Sequence, residues 1–387
     1  MYNKILWSYK NPKKQDPDTL YLDKKDINHL VRIFNKYGLS PESFEEVRIN
    51  YLADKNYLIR YIIKELDILL QLGGKFVIIA TYTASHANFI RSKSQIGYEF
   101  SVSTNGRYKL NNKTIDTNKI NLEYFKQNVT LENDDTIDKW SFGIITNGQK
   151  NDQVCNLIDS IVNQNIPNYE ILICGEFSYV DYELHPIISI DDVVLENETR
   201  APITIKKNKI VDKSQYQNLV ILHDRYLLPI NWFLNMKKYG NYFDILTMPN
   251  IGPSGGRVND WGEYLGKPSQ IYTEVSHLLP YKRWSLGWYS QGGLLIMKKS
   301  LYEKNRLDDR LFWDELEDIQ FSQIANLKGY FYYIDCENSV LTFSDRIKET
   351  KKRSSTLLPV MEAKRIFTYI VIRGSNFIKH YKNRLLY

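Results

Sequence analysis

The sequence predicts an α/β protein in which a mixed, mainly parallel sheet flanked by helices follows a smaller amino-terminal α/β unit. Three stretches carry that prediction. Leu219-Val-Ile-Leu222 is a run of four apolar residues. A strand with one face in water alternates, so this one is expected to be buried on both faces, as in a parallel sheet. Between Phe142 and Glu176 a strand, an amphipathic helix and a second strand follow one another, the pattern of a βαβ unit with a right-handed crossover. Earlier, residues 57–72 read as a helix with Leu58, Ile62, Leu66 and Leu69 or Leu70 on one face, leading into the apolar run 75–80.

Taken in order, residues 1–102 form the first unit. A helix is expected over 24–37, and a second over 57–72 that Gly73-Gly74 terminates, since glycine accepts the left-handed cap. Residues 90–101 are polar and punctuated by aromatics, and read as a surface hairpin, with presentation of Arg91 and Gln95 to an acceptor as the alternative. Residues 103–139, rich in Asn, Lys, Asp and Thr, read as a connector with little core of its own. The character changes at Trp140, where a second domain, 140–345, is expected to begin. Residues 142–148 form a strand entering a polar turn. Val154, Leu157, Ile158 and Ile161 mark a helix that ends before Pro167, and 170–176 is a buried strand closing in an acid.

His223-Asp224-Arg225 stands where the 219–222 strand runs out. Ligands bind at the carboxyl ends of strands in open α/β sheets, so a carboxylate there is placed for chemistry; the alternative is a turn cap before Pro229. Glycines and tryptophans gather over 248–293, and Gly292-Gly293 opens a further strand, 292–297. A helix beginning at Asp314 would set Asp314, Glu317, Asp318 and Phe321 on one face. Acids in a first helical turn and an Asp314–Glu317 capping box would explain that pattern structurally. Residues 346–387 read as a basic helical segment, with nine Lys or Arg from 351 onward against Glu362 alone.

Of 387 residues, 43% are apolar and 13% aromatic, which supports a real core and excludes global disorder. The net charge of +6 suits a phosphate-bearing partner. Cys155, Cys174 and Cys336 are widely spaced in apolar settings, which excludes a zinc site or disulfide framework and fits a reducing, cytoplasmic setting. The amino terminus lacks the apolar core of a signal peptide, and no run reaches the roughly 20 apolar residues of a membrane span. The basic carboxy-terminal segment suits peripheral contact with an anionic membrane or with nucleic acid, or else caps the domain with its charges in water.

Several of these stretches together resemble a known family. Ile144-Ile-Thr-Asn-Gly148, the helix residues Leu157-Ile-Asp-Ser-Ile-Val-Asn-Gln164 and Tyr169-Glu-Ile-Leu-Ile-Cys-Gly-Glu176 resemble the opening of a family 2 glycosyltransferase with the nucleotide-sugar-binding fold called GT-A. The resemblance spans about residues 140–345. It implies that Thr146, Asn147 and Glu176 meet the nucleoside, with Gly175-Glu176 standing where the family has two Asp. It implies Lys206 or Lys207, beside Asn208, for the diphosphate, and Trp288, Gly292 and Gly293 near the donor sugar. Where the family has its Asp-x-Asp element only Asp224 matches a carboxylate, with His223 before it and Arg225 in the last position, which implies a Mn²⁺ or Mg²⁺ ion on Asp224 and His223 as an alternative ligand.

Such an ion neutralises the charge that builds on the leaving diphosphate, because hard cations favour oxygen ligands. Glu317-Asp318 followed by Phe321-Ser322 matches the family's Glu-Asp motif, whose Asp takes the acceptor hydroxyl proton in inverting enzymes. No late metal-binding His occurs over 338–344. A separate resemblance covers residues 45–82, where a Leu-Gly-Gly turn before a strand looks like the late part of a class I S-adenosylmethionine methyltransferase. The glycine-rich cofactor loop of that family has no counterpart, so a truncated, non-catalytic remnant is implied. The expected activity is sugar transfer from a nucleotide-diphosphate sugar to a hydroxyl of a glycan or surface polysaccharide. The alternatives are transfer to modified DNA bases, an inactive binding or scaffold protein, and an active methyltransferase.

Overall fold

The computed structural model describes residues 2–343 apart from 10–15, 24, 27, 53–57, 83–85, 132–135, 179–184, 196–197, 265–275 and 285–286; the side chains of 52, 86–94, 276 and 277 are also outside the description. The basic segment 346–387, with the membrane and nucleic-acid contacts expected of it, and the side chain of Arg91 lie outside the described residues.

The first part of the chain runs β1 (Lys4–Ser8), β2 (Thr19–Asp23), α1 (Ile33–Tyr37), β3 (Phe44–Leu52), α2 (Ile59–Leu69), β4 (Leu70–Thr81), α3 (His86–Ser103), β5 (Tyr108–Ile115) and β6 (Lys119–Lys126). These strands form one six-stranded sheet in the order β2-β1-β3-β4-β6-β5. β2, β1, β3 and β4 are parallel, and β6 lies antiparallel between β4 and β5.

Four expectations are corrected here. Residues 108–126 are not a connector but a hairpin completing this sheet. Ile120 and Leu122 are its buried anchors, while β5 is an edge strand that needs only its hydrogen bonds to β6, and so carries a polar sequence. Residues 90–101 lie in α3 rather than in a hairpin; Ile96 and Phe100, four apart, bury one face, and Phe100 stacks on Tyr124 with ring centres 4.1 Å apart. The 24–37 helix is reduced to the short α1, capped by Gly38 at φ 61°. Helix α2 stops at Leu69 and passes straight into β4, so Gly73-Gly74, the pair behind the methyltransferase resemblance, lies inside a strand. A Cβ at Gly74 would stand 2.7 Å from Leu70 Cδ1 and 2.8 Å from the Gln71 carbonyl oxygen.

The second part runs β7 (Lys139–Ile145), α4 (Asn151–Val162), β8 (Asn168–Cys174), β9 (Ile187–Ile190), α5 (Ile203–Lys213), β10 (Asn218–His223), β11 (Tyr226–Leu227), α6 (Trp232–Tyr239), β12 (Ile245–Thr247) and β13 (Asn250–Ile251). It continues through β14 (Trp261–Tyr264), β15 (Ser276–Leu278), β16 (Trp288–Ser290), β17 (Leu294–Lys298), α7 (Lys299–Lys304), α8 (Glu317–Leu327), β18 (Tyr332–Ile334) and β19 (Val340–Thr342). Seven strands form a sheet in the order β18-β12-β17-β10-β7-β8-β9, in which β17 alone runs against its neighbours. This is the mixed, mainly parallel sheet flanked by helices that was expected of a GT-A fold.

The both-faces burial predicted for 219–222 follows from the packing. Val220 and Leu222 join the core under α4 and α6, whereas Leu219 and Ile221 join the core under α5, α7 and α8. The two sheets are tied by polar contacts. Lys64 pairs with Asp244 at 2.6 Å, Arg60 donates to the Asn326 carbonyl at 2.7 Å, and Arg32, fixed by Glu65 at 2.8 Å, donates to the Tyr242 carbonyl.

Candidate active site

The carboxyl ends of β7, β8 and β10 and the start of β17 share one edge of the second sheet, since Ile145 pairs with both His223 and Cys174, and Leu222 with Leu294. Each predicted acid sits on that edge for a local reason. Asp224 follows β10 directly. Its N–H donates to the Ile145 carbonyl at 3.1 Å, which draws the chain across the end of β7, and its Oδ2 accepts the Thr146 hydroxyl at 3.0 Å. Thr146 is buried, its Oγ1 also accepting the Gly148 N–H at 3.2 Å.

Asp318 arrives from the other side, in the first turn of α8. That helix begins at Glu317 rather than Asp314. Asp314 and Leu316 take φ values of 71° and 61°, so the chain turns sharply before the helix, and no side-chain cap forms. The Asp314–Glu317 box and the helix face expected to join Asp314 to Glu317, Asp318 and Phe321 are therefore not formed. The turn instead frees Glu317 and Asp318 to meet Gly292-Gly293.

Asp318 and the strand end that carries Asp224 both engage this glycine pair. The Gly292 N–H donates to Asp318 Oδ2 at 3.0 Å, and the Gly293 carbonyl accepts the His223 N–H at 3.1 Å. Asp318 Oδ1 accepts its neighbour's N–H, from Ile319, at 2.8 Å. A side chain at either position would have to displace its neighbours. A Cβ on residue 292 would stand 2.5 Å from Glu317 Oε1 and 3.1 Å from Lys207 Nζ; one on residue 293 would stand 2.8 Å from the Tyr226 hydroxyl and 2.9 Å from Arg225 Nη2. Burial, and then the adjacent Glu317 carboxylate, push the Asp318 carboxyl up to about 6, against the opposing pull of the Gly292 N–H and Lys207.

The remaining predicted residues divide into those at the edge and those in the frame. Glu176 is exposed and lies over Gly148 (φ 77°), where a Cβ would stand 2.8 Å from the Glu176 Cβ. Asn147 is exposed beside it and accepts the Gln149 N–H. Lys206 and Lys207 are buried in α5 and already engaged, which corrects the expectation that they meet a diphosphate as free charges. Lys206 pairs with Asp192 at 2.5 Å and donates to the Thr146 carbonyl, while Lys207 stands 3.4 Å from Glu317.

Asn208 likewise leaves the candidate site. Its amide donates to the Leu307 carbonyl at 3.0 Å and accepts the Tyr302 hydroxyl at 2.8 Å, fastening α5 to the segment after α7. Trp288 is 3% exposed and packs between Trp261 and Tyr332 as core, away from a sugar-stacking role.

Sequence reasoning passed over Arg225, taken there only as a departure from an acidic element. Its guanidinium lies against Gly293 and over the Tyr226 ring, and among the described residues no carboxylate pairs with it. Its position directly after Asp224 was the available signal. Among the described residues no group of three His, Cys, Asp or Glu side chains stands together as a metal-ligand set. His223 meets the Gly293 turn through its backbone.

No family model matches the chain, and no curated protein matches it. Among solved structures it is similar to S. aureus TarS 1-349, with 13% identity, 53% of this chain and 60% of that chain covered, and a TM-score of 0.36. The same fragment in complex with UDP-GlcNAc gives 13% identity, coverages of 56% and 61%, and a TM-score of 0.37. The mannosyltransferase PcManGT from Pyrobaculum calidifontis in complex with GDP-Man and Mn²⁺ gives 12% identity, coverages of 54% and 58%, and a TM-score of 0.36. The chain thus spans about three fifths of these solved chains, and 37% of the longer TarS structure.

Proposed function

We propose that the chain is a glycosyltransferase that moves a sugar from a nucleotide-diphosphate donor to a hydroxyl acceptor, by inversion. The observation that carries this is that Asp318 and the backbone of His223, the residue before Asp224, both bond the Gly292-Gly293 turn, at the strand ends where α/β sheets take ligands. Asp318, with a carboxyl near 6, is mostly ionised at neutral pH yet basic enough to accept a proton, the compromise a general base requires. Glu176 and Asn147, exposed at the end of β8 and β7, suit the nucleoside.

Arg225, rather than Lys206 or Lys207, is the cation in reach of the diphosphate, and a guanidinium presents two parallel N–H groups to phosphate oxygens. A divalent ion fits this edge only in a restricted way. Asp224 supplies one carboxylate, with Oδ2 already accepting Thr146, and Mg²⁺-type ions are commonly held by one or two carboxylates plus substrate phosphates. Asp224 would hold Mn²⁺ or Mg²⁺ jointly with the donor, and the ion would neutralise the leaving diphosphate.

Inversion rests on the single base and on the resemblance of Glu317-Asp318 to the family motif. A glycan or surface polysaccharide is the acceptor class that resemblance favours. Donor hydrolysis with Mn²⁺, across a panel of nucleotide sugars, tests the reading by comparing wild type with Asp224→Ala and Asp318→Asn. Loss of turnover in both variants is expected. Equal turnover in all three proteins would remove the assigned roles, and no turnover with any donor would favour a binding protein.

A further inference from the structure

Helix α5 sends two lysines into the interior, and packing explains only one of them. Lys206 reaches Asp192 at 2.5 Å and the Thr146 carbonyl at 2.8 Å, a double engagement that ties down the chain leaving β7. Lys207 is fully buried, and among the described residues Glu317 is its one carboxylate partner, at 3.4 Å. That separation is longer than the roughly 2.7–2.9 Å of a strong charge-assisted hydrogen bond. Desolvating both ions offsets much of what such a contact returns, and apolar side chains of similar volume often fill the space of a buried pair as stably. The Lys207–Glu317 pair therefore calls for a reason other than stability.

The reason lies at Gly292. The point a Cβ would occupy there is 2.5 Å from Glu317 Oε1, 3.1 Å from Lys207 Nζ and 3.3 Å from Asp318 Cβ, so the ammonium and both acidic side chains border one small space. Two neighbouring carboxylates with no cation beside them cannot both stay ionised cheaply, and one takes up a proton. Burial and then Glu317 push the Asp318 carboxyl up, while the Gly292 N–H and Lys207 pull the other way. From β18 the facing group is Tyr332, whose phenol burial holds neutral, and Arg225 lies at the adjoining Gly293. We infer that Lys207 is a positioning residue for the proposed base: buried beside the Gly292 turn, its ammonium offsets the Glu317 carboxylate and keeps Asp318 ionised next to it. This rests on the reading of Asp318 as the base.

The test isolates the lysine's charge. Glu317→Gln removes the second titrating carboxylate yet still offers Lys207 an acceptor, so Asp318 titrates without a carboxylate beside it, and the acid limb of kcat/KM should move to lower pH than in the wild type. Adding Lys207→Met, of similar length and uncharged, should move that limb back to higher pH. The carbon-13 resonance of the Asp318 carboxyl, assigned by its loss in Asp318→Asn, reads the same titration without turnover and should follow both shifts. A lysine that only fills space would change the plateau or the stability and leave both titrations in place. Coincident Asp318 titrations in Glu317→Gln and in the double variant would overturn the inference, and Lys207→Gln in the same background gives that comparison where the Met variant does not fold. A carboxyl titration that moves while the acid limb stays fixed would overturn it from the other side, since Asp318 would not be the base.

Discussion

The environment that suits Asp318 to the proposed role of base also makes it a liability to the fold, and the two effects can be separated by substitution. Its carboxyl sits near 6 in the folded chain against an ordinary value of 3.8. A group whose folded value is raised contributes stability that is fully present below the unfolded value and is lost as pH rises through the folded one. For Asp318 the window therefore runs from about pH 4 to about pH 6. The difference between about 6 and 3.8 corresponds to at most about 3 kcal/mol. Half-burial and the neighbouring Glu317 make about 1–3 kcal/mol the fair expectation.

Asp318→Asn abolishes that ionisation. Urea unfolding of both proteins at pH 4.5 and pH 8 should show the variant gaining on the wild type by that amount at the higher pH. Any hydrogen bond lost by the amide, at Gly292 or Ile319, is common to both pH values and cancels in the comparison. Donor turnover should fall by about 10² to 10⁴ in the same variant. In the wild type, kcat/KM should decline on the acid side with an apparent pKa near 6. Parallel stability profiles for the two proteins would refute the burial argument, whatever happens to turnover.

Other outcomes follow from the same geometry. Gly292→Ala should cut turnover at least tenfold with modest loss of stability, because the new methyl group must displace Glu317 and Lys207; unchanged kinetics would show that the turn tolerates movement. Titration calorimetry with Mn²⁺ should detect no binding to the chain alone and clear binding once a nucleoside diphosphate is present, since Asp224 supplies a single carboxylate. Arg225→Gln should raise the donor KM more than it lowers kcat, a split read from steady-state kinetics. Glu65→Leu leaves Arg32 charged and buried at the junction of the two sheets and should cost about 3–5 kcal/mol in denaturant unfolding.

What the sequence disclosed depended on whether a feature was local. Four apolar residues at 219–222 declared a strand buried on both faces because burial on two sides leaves no room for alternation, and the packing of Val220 and Leu222 against one core and Leu219 and Ile221 against another is the cause. The β5–β6 hairpin was illegible because β5, at the sheet edge, is held by backbone hydrogen bonds to β6 while its side chains face solvent, so Tyr108–Ile115 carries no hydrophobic signature. The engagement of Lys206 and Lys207 was hidden for another reason: Asp192, Thr146 and Glu317 are remote in sequence, and a run of two lysines reads as solvated until those partners are in place. Trp288 was misassigned because an aromatic near glycines looks the same whether it faces a ligand or fills a gap between Trp261 and Tyr332.

The departures from the expected acidic pattern have a packing cause, and it ties the two sides of the site together. Residue 175 takes φ 132°, and a Cβ there would lie 2.1 Å from the Thr146 carbonyl oxygen, so no aspartate fits where the first of two is expected. That same carbonyl accepts Lys206 at 2.8 Å, and the Thr146 hydroxyl holds Asp224 at 3.0 Å. Thr146 is thus the hinge between the strand that would present the nucleoside and the carboxylate proposed for the metal. An acid at 175 would push against that residue and loosen Asp224, which leaves Glu176, proposed for the nucleoside, as the one acid of the pair. Gly175→Asp should accordingly destabilise the chain and lower turnover together, by displacing Thr146, even though it brings the sequence nearer to the family pattern. A variant that folded as well as the wild type and turned over donor faster would show that the close approach of residue 175 to Thr146 is not what excludes the second acid.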